Sequence, residues 1–283
     1  MRISIASGKG GTGKTSLALL LASERPGITV IDSDVEEPNC HLFLKTEQKQ
    51  EKVVTIMVPG IDNEKCSGCE VCAEACFFNA IAVVGGKAMV FDELCHSCGG
   101  CLLKCPQGAI SEAEKPIGIV SSGYSTTVAG TRLMSGLLNI GVPSGVPLIK
   151  ALLKEARTIE GEVIVDCPPG TSCSMVSAVK DSDYCLLVTE PTPFGRHDLA
   201  LAINITQLLN LRTGVVINKN DGGDGDEAIE ELCHSRGISV VAKIPYSHSF
   251  AREYSNGKIS LENRTIAEDI WRQIQCVGRE RKA

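Results

Sequence analysis

Aromatic residues are scarce in this 283-residue chain, at 4% with one tryptophan, and no apolar run exceeds the six residues from Leu17 to Ala22. A membrane span needs roughly 20 consecutive apolar residues, so no transmembrane helix is expected. Basic charge is not in excess either: 28 Lys and Arg face 34 Asp and Glu, for a net charge of −6. With no Lys/Arg-rich stripe, the chain does not suit a nucleic-acid backbone as partner. No cationic, apolar leader precedes the first strand pattern, since Met1 runs straight into Arg2-Ile3-Ser4-Ile5-Ala6, and no signal peptide is expected. A disordered chain is excluded by 43% apolar and 22% charged residues.

Cysteine, by contrast, is abundant. There are 14, eight of them between Cys66 and Cys105, with Cys40, Cys167, Cys173, Cys185, Cys233 and Cys276 scattered elsewhere. That many thiols in an intracellular chain point to metal binding in place of disulfides, and a cytoplasmic location is expected.

Outside the cysteine block the chain alternates apolar strand runs with helical segments. Strands are expected at 3–7, 28–31, 117–120, 163–166, 185–188, 214–218 and 240–244. Helices are expected at 14–23, 146–156, 199–211, 228–234 and, amphipathic, 266–277. The last places Ile266, Ile270, Trp271, Ile274 and Val277 on one face, with Arg272, Arg279, Arg281 and Lys282 nearby. It reads as a helix packed on the sheet in preference to a membrane-touching one. Strands apolar on both faces belong in a mostly parallel sheet covered by helices, an α/β fold. Residues 45–52 are polar and solvated. The expected organisation is one discontinuous domain, 1–58 and 112–283, with a small α+β domain inserted at 59–111.

Gly8-Lys9-Gly10-Gly11-Thr12-Gly13-Lys14-Thr15 fits the phosphate-loop pattern G-x4-G-K-[ST]. Glycines let backbone N–H groups turn inward onto phosphate oxygens, and the following helix adds its positive end. Lys14 would neutralise phosphate charge and the Thr15 hydroxyl would ligate Mg²⁺. Gly8, Gly10 and Gly13 also satisfy the dinucleotide fingerprint G-x-G-x-x-G, with Asp32 ending the second strand, but Lys14-Thr15 serves no purpose in that arrangement. Asp166 ends a Val-Ile-Val strand as an acid of the Mg²⁺ shell does. Asp32 and Asp34 form a D-x-D pair suited to orienting water, and Asn218 ends another strand where an adenine edge would be read. ATP or ADP with Mg²⁺ is the expected ligand.

Cys66-x2-Cys69-x2-Cys72-x3-Cys76 and Cys95-x2-Cys98-x2-Cys101-x3-Cys105-Pro106 are two copies of the bacterial ferredoxin run, 29 residues apart. In such runs the fourth cysteine ligates the other cube. One [4Fe–4S] cluster is then expected on Cys66, Cys69, Cys72 and Cys105, and a second on Cys76, Cys95, Cys98 and Cys101. Structural zinc in all-cysteine sites is the alternative, but zinc seldom uses the extra x2 and x3 spacings twice over. Phe77 stands where the second copy has Pro106. His96, within a cluster loop, is expected to be exposed. Cys167 and Cys173 are expected as small apolar fillers, and His197 in the packing of a turn.

The phosphate loop, with its extra lysine Lys9, resembles the deviant loop of the MinD/Mrp (ParA-like) ATPases. With the cysteine block, the chain resembles members of that superfamily carrying an inserted ferredoxin domain. The segments Asp32 to Asn39, Asp166 to Ser172 and Thr189 to Gly195 are similar to signatures of that subgroup. The resemblance implies a P-loop ATPase in which ATP joins two protomers, identical or paralogous, with Lys9 reaching phosphates bound by the partner. It further implies Asp34 as the water-activating residue, Asp32 as its companion near Mg²⁺, Asp166 as the Walker B acid, Asn218 on adenine, and Pro245 in a loop closing over the base. The function expected is an ATP-driven switch coupling nucleotide state to electron transfer or to a redox partner. An ATP-dependent cluster assembly or delivery factor, acting on a metallocluster client, and a positioning ATPase with redox-sensing clusters are the alternatives.

Overall fold

The computed structural model describes residues 1–260 and 262–279, without the side chains of Gln48 and of 276–279. Of the residues singled out above, the Cys276, Val277 and Arg279 side chains, and all of Arg281 and Lys282, lie outside what is described.

Among the described residues the main sheet has nine strands. In chain order these are β1 (Arg2–Ala6), β2 (Thr29–Asp32), β3 (Thr46–Ile61), β6 (Ile110–Ser125), β7 (Arg132–Leu138), β8 (Val163–Asp166), β9 (Tyr184–Thr189), β10 (Thr213–Asn220) and β11 (Ser239–Pro245). Their order across the sheet is β11-β10-β9-β1-β8-β2-β7-β6-β3. The seven strands from β11 to β7 run parallel, and β6 and β3 add an antiparallel pair at one edge.

Helices cover both faces, which is why the central strands are apolar throughout. Helix α1 (Lys14–Ser23) and α9 (Arg264–Arg279) pack on one side with Ile3, Ile5, Val30 and Leu186. Trp271 is buried there, its Nε1 donating to the Leu21 carbonyl at 3.1 Å, so the final helix packs against the domain. Helices α4 (Val146–Glu155), α5 (Cys173–Val179), α6 (Pro193–Leu208) and α7 (Asp224–Ser235) cover the other side, over Ile31, Val165, Leu187 and Val215. Helix α8 (His248–Ser255) follows β11.

The charged stretch 45–52 is not a loop. It begins β3, the outermost strand, where alternating Lys and Glu side chains discourage edge-to-edge pairing. β3 and β6 pair from Thr46 with Ser125 to Ile61 with Ile110, while β7 accompanies β6 only from Gly118 to Tyr124. Residues 110–117 and 55–61 therefore continue beyond the sheet as a two-stranded ribbon. Its register shifts between Val54 and Thr55, opposite Pro116. A bulge is where a strand tolerates a residue without N–H.

Beyond the ribbon lie α2 (Val71–Glu74), the hairpin β4 (Ile81–Val84) and β5 (Lys87–Val90), and α3 (Gly100–Lys104). Two small apolar groups sit here, Cys72, Ile81, Ala88 and Ile110 in one, Val58, Ala80 and Cys95 in the other. The first is separate from the cores under the main sheet, and the second touches one of them only through half-buried Ile56.

Candidate functional site

The loop 8–13 leaves the carboxyl end of β1 and turns into α1. Its path depends on missing side chains. A Cβ on Gly8 would stand 2.2 Å from the Asp198 carbonyl oxygen, and one on Gly13 2.2 Å from Asn218 Nδ2, at a φ of +96°. Asn218 Nδ2 itself donates to the Thr12 carbonyl at 2.7 Å, tying the end of β10 to the loop. Around this loop opens a cleft of about 410 Å³ whose walls include Gly10, Gly11, Gly13, Lys14, Thr15, Asp34, Asn218 and Pro245. Tyr246 and Ser247, following Pro245, extend that wall, and Tyr254 of α8 faces it.

Asp32 and Asp166 end adjacent strands and stand opposite each other in register. Both are fully buried. Thr15 Oγ1 donates to Asp166 Oδ2 at 2.6 Å, and Asp166 Oδ1 is buried with no partner. Asp32 has a second duty: its Oδ2 accepts the N–H groups of Asn39 and Cys40, each at 2.9 Å, so it anchors the loop bearing Asp34. Burial pushes both carboxyls well up; the charge of Asp32 raises Asp166 further, and that of Asp34 raises Asp32. Burial also pushes Asp34 up to about 6, against the pull of Lys14. Two crowded buried acids and an orphaned oxygen beside a hydroxyl form a donor set that fits a hard divalent cation. Asp32, Cys40 and Asp166 offer ligand atoms within 4.8 Å of one another. Cys40, its Sγ 3.6 Å from Asp166 Oδ2, was not anticipated.

Lys9 sits on the outer side of the loop. Its Nζ donates to Glu190 Oε2 at 2.9 Å, and Glu190 Oε1 accepts from Lys219, which also donates to the Gly11 carbonyl at 3.1 Å. Partial burial pushes the Glu190 carboxyl up, but the two lysines outweigh it and hold it below the ordinary glutamate range. Neither Glu190 nor Lys219 was assigned a role from sequence, although Glu190 lies in the Thr189 to Gly195 segment.

The eight clustered cysteines separate into two cavities. One is lined by Cys66, Cys69, Cys72 and Cys105, the other by Cys76, Cys95, Cys98 and Cys101. The backbone repeats along with the thiols. Gly68 and Ser97, Glu70 and Gly99, Asn79 and Gly108 occupy matching positions in the two copies, and all six have positive φ. Ala80 N donates to Cys76 Sγ at 3.2 Å, as Ala109 N does to Cys105 Sγ at 3.3 Å. His96 is exposed and stacks on Phe78 with ring centroids 3.8 Å apart. Phe77 is exposed, so the departure from Pro106 alters the surface and not a cavity wall. Cys167 is a buried filler, but Cys173 is exposed at the start of α5, and His197 is exposed on α6. The packing roles expected for Cys173 and His197 do not hold, because the faces they occupy point to solvent.

Residues 3–261 match the family described as the CobQ/CobB/MinD/ParA nucleotide binding domain. The chain belongs to this family. As a MinD/ParA member it is a P-loop ATPase. An uncharacterized protein of Methanocaldococcus jannaschii is 31% identical over 95% of both chains. An uncharacterized ATP-binding protein of the same organism is 25% identical over 86% of this chain and 75% of its own length. Among solved structures, the septum site-determining protein MinD complexed with Mg-ADP, from Pyrococcus horikoshii, is 16% identical. It covers 96% of this chain and 95% of its own, at a TM-score of 0.58, and shares the fold. No helix among the described residues is long and apolar enough to cross a membrane.

Proposed function

We propose that this MinD/ParA-family ATPase is a nucleotide-driven switch carrying two [4Fe–4S] clusters in an inserted ferredoxin-like domain, residues 59–111, within an ATPase domain formed by 1–58 and 112–283. The observation that carries the reading is the sorting of eight cysteines into two cavities of four, each taking three thiols from one run and one from the other. Non-glycine residues in left-handed backbone, here Glu70, Asn79 and Ser97, persist where something over-determines them. Thiolates accepting backbone N–H groups supply that environment for cubane iron–sulfur clusters, which provide one-electron transfer when bound.

In the ATPase domain, Lys14 offsets phosphate charge, and Thr15 and Asp166, with Asp32 beside them, would hold Mg²⁺, which supplies charge neutralisation at the phosphates. Mg-ADP in the MinD of Pyrococcus horikoshii agrees with this reading. Asp34 orients water, its carboxyl pushed up to about 6 by burial, with Lys14 favouring the ionised form. Asn218 and Pro245 flank the base. Lys9 serves a second protomer, identical or paralogous, across the phosphate loop.

The ribbon supports a link between the two halves. The Leu138 N–H, at the end of β7, donates to Val35 O at 2.8 Å, one residue beyond Asp34. β6 pairs with β7 and then continues, past the bulge at Pro116, to Ile110. Because β6 is antiparallel to β7, the ribbon leaves from the same carboxyl edge of the sheet that holds the nucleotide loop. Four strand spacings separate β6 from β1, roughly 20 Å. A movement of the Asp34 loop is thus transmitted along hydrogen-bonded strands to the cysteine module.

The test is an anaerobic reductive titration of the full chain with ADP and with a non-hydrolysable ATP analogue. Two clusters and a nucleotide-dependent midpoint potential are expected. Absence of iron sinks the cluster assignment, and identical potentials sink the coupling. A second reading, cluster delivery to a client protein, is favoured by the exposure of Cys69 and Cys98, one in each cavity. It requires that a chelator remove iron faster with ATP than with ADP.

A further inference from the structure

Glu190 binds two cations at once, and that arrangement has a purpose beyond folding. The residue follows β9 in a turn with little freedom: Thr189 Oγ1 donates to the Gly195 carbonyl at 3.0 Å, and a Cβ on Gly195 would lie 2.3 Å from the Glu190 carbonyl oxygen. The Glu190 side chain is only 14% exposed, whereas those of Lys9 and Lys219 are 31% and 44% exposed. Lys219 is held in place by a left-handed backbone, φ +57°, at a register shift of β10. Its second donation, to Gly11 O, fixes it against the loop.

A half-buried carboxylate that loses its only cation is left uncompensated at considerable cost. Glu190 avoids that cost. If Lys9 departs, Lys219 still neutralises it. The pair Glu190–Lys219 is therefore a fixed base from which Lys9 can leave, and among the described residues Lys9 forms no ion pair other than that with Glu190.

We propose that Glu190 is a positioning residue that clasps Lys9 against its own phosphate loop until a second copy of the chain, loaded with a nucleoside triphosphate, presents a competing anion. This rests on the reading that Lys9 acts across a dimer. Association then exchanges one counter-ion of Lys9 for another, and the triphosphate, with more negative charge than a diphosphate, wins the exchange. The clasp sets a threshold on assembly. Lys219 weakens it by sharing the carboxylate, and so lowers that threshold.

The opposite roles of the two partners make the test specific. Self-association of the full, cluster-loaded chain is followed by sedimentation against protein concentration, with a non-hydrolysable ATP analogue and with ADP. Lys9→Ala is expected to abolish association with the analogue. Glu190→Gln is expected to lower the midpoint concentration about fivefold, the scale of a partly exposed ion pair. Lys219→Ala leaves Lys9 as the sole partner of Glu190 and is expected to raise the midpoint by a similar factor. In a Lys9→Ala background neither change has any effect. Wild-type association in Lys9→Ala removes the cross-dimer reading and the clasp with it. If Lys9→Ala abolishes association while Glu190→Gln weakens it or leaves it unchanged, the clasp alone is wrong. Should Glu190→Gln fail to fold, the sign of the Lys219→Ala shift decides: a lower or unchanged midpoint overturns the proposal.

Discussion

The nucleotide cleft and the cysteine module, as proposed above, hold their ligands in opposite ways. The cleft is built where buried strands end: Asp32 and Asp166 are fully enclosed, and the two cores beneath them run the breadth of the sheet. The module has two apolar groups of four and three buried residues, and keeps Glu70, Asn79 and Ser97 in unfavourable backbone. So small a core does not offset the chain entropy of some fifty residues, and the proposed clusters would supply the difference. On the proposed reading, one half recognises its ligand and the other is folded by it.

The largest effect that would break this contrast comes from stripping the iron. Protease cleavage within 62–109 is expected to accelerate at least about a hundredfold, while residues 112–260 stay protected. Mass spectrometry of the fragments checks this, and equal protection of both halves removes the distinction. Next comes Lys14→Ala, expected to cut ATP hydrolysis by about a hundredfold or more by removing charge stabilisation at the phosphates. Iron content should not change, and a colourless variant would contradict the independence of the two sites. Trp271→Ala sharpens the comparison from the other side. It empties a buried site packed against α1 and should destabilise the ATPase domain by about 3–5 kcal/mol in urea. Cluster absorbance is expected to outlast the loss of the main sheet's signal only if the module is held by its own ligands. The smallest effect is expected from Glu70→Gly, which relieves a left-handed residue and should slow iron loss to a chelator by a few-fold, equivalent to about 1 kcal/mol.

What could be read from the sequence follows the same division between local and distant. The phosphate loop and both cysteine runs are contiguous, and the likeness to ferredoxin runs, whose fourth cysteine crosses to the other site, gives the grouping of thiols found in the two cavities. β7 was not. Gly136 interrupts its pattern, and the reason is tertiary: a Cβ there would stand 2.7 Å from Val35, in the loop that carries Asp34. The charged first half of β3 read as a solvated segment because an outer edge strand and a polar loop share a composition. The bridge of Lys9, Glu190 and Lys219 joins three distant points of the chain, and no spacing rule links them. Asp32 was legible as an acid of the site but not as the anchor of the following loop, since that depends on where the N–H groups of Asn39 and Cys40 arrive.

The pairing of Ile61 with Ile110 means that the polypeptide enters and leaves the cysteine module side by side. A doorway one strand wide can be shut by a tight turn without moving anything behind it. The whole cassette is thus expected to be detachable: a chain shortened there should keep the strands of the main sheet unbroken, with β3 and β6 closed by a plain hairpin whose tip could take a different graft.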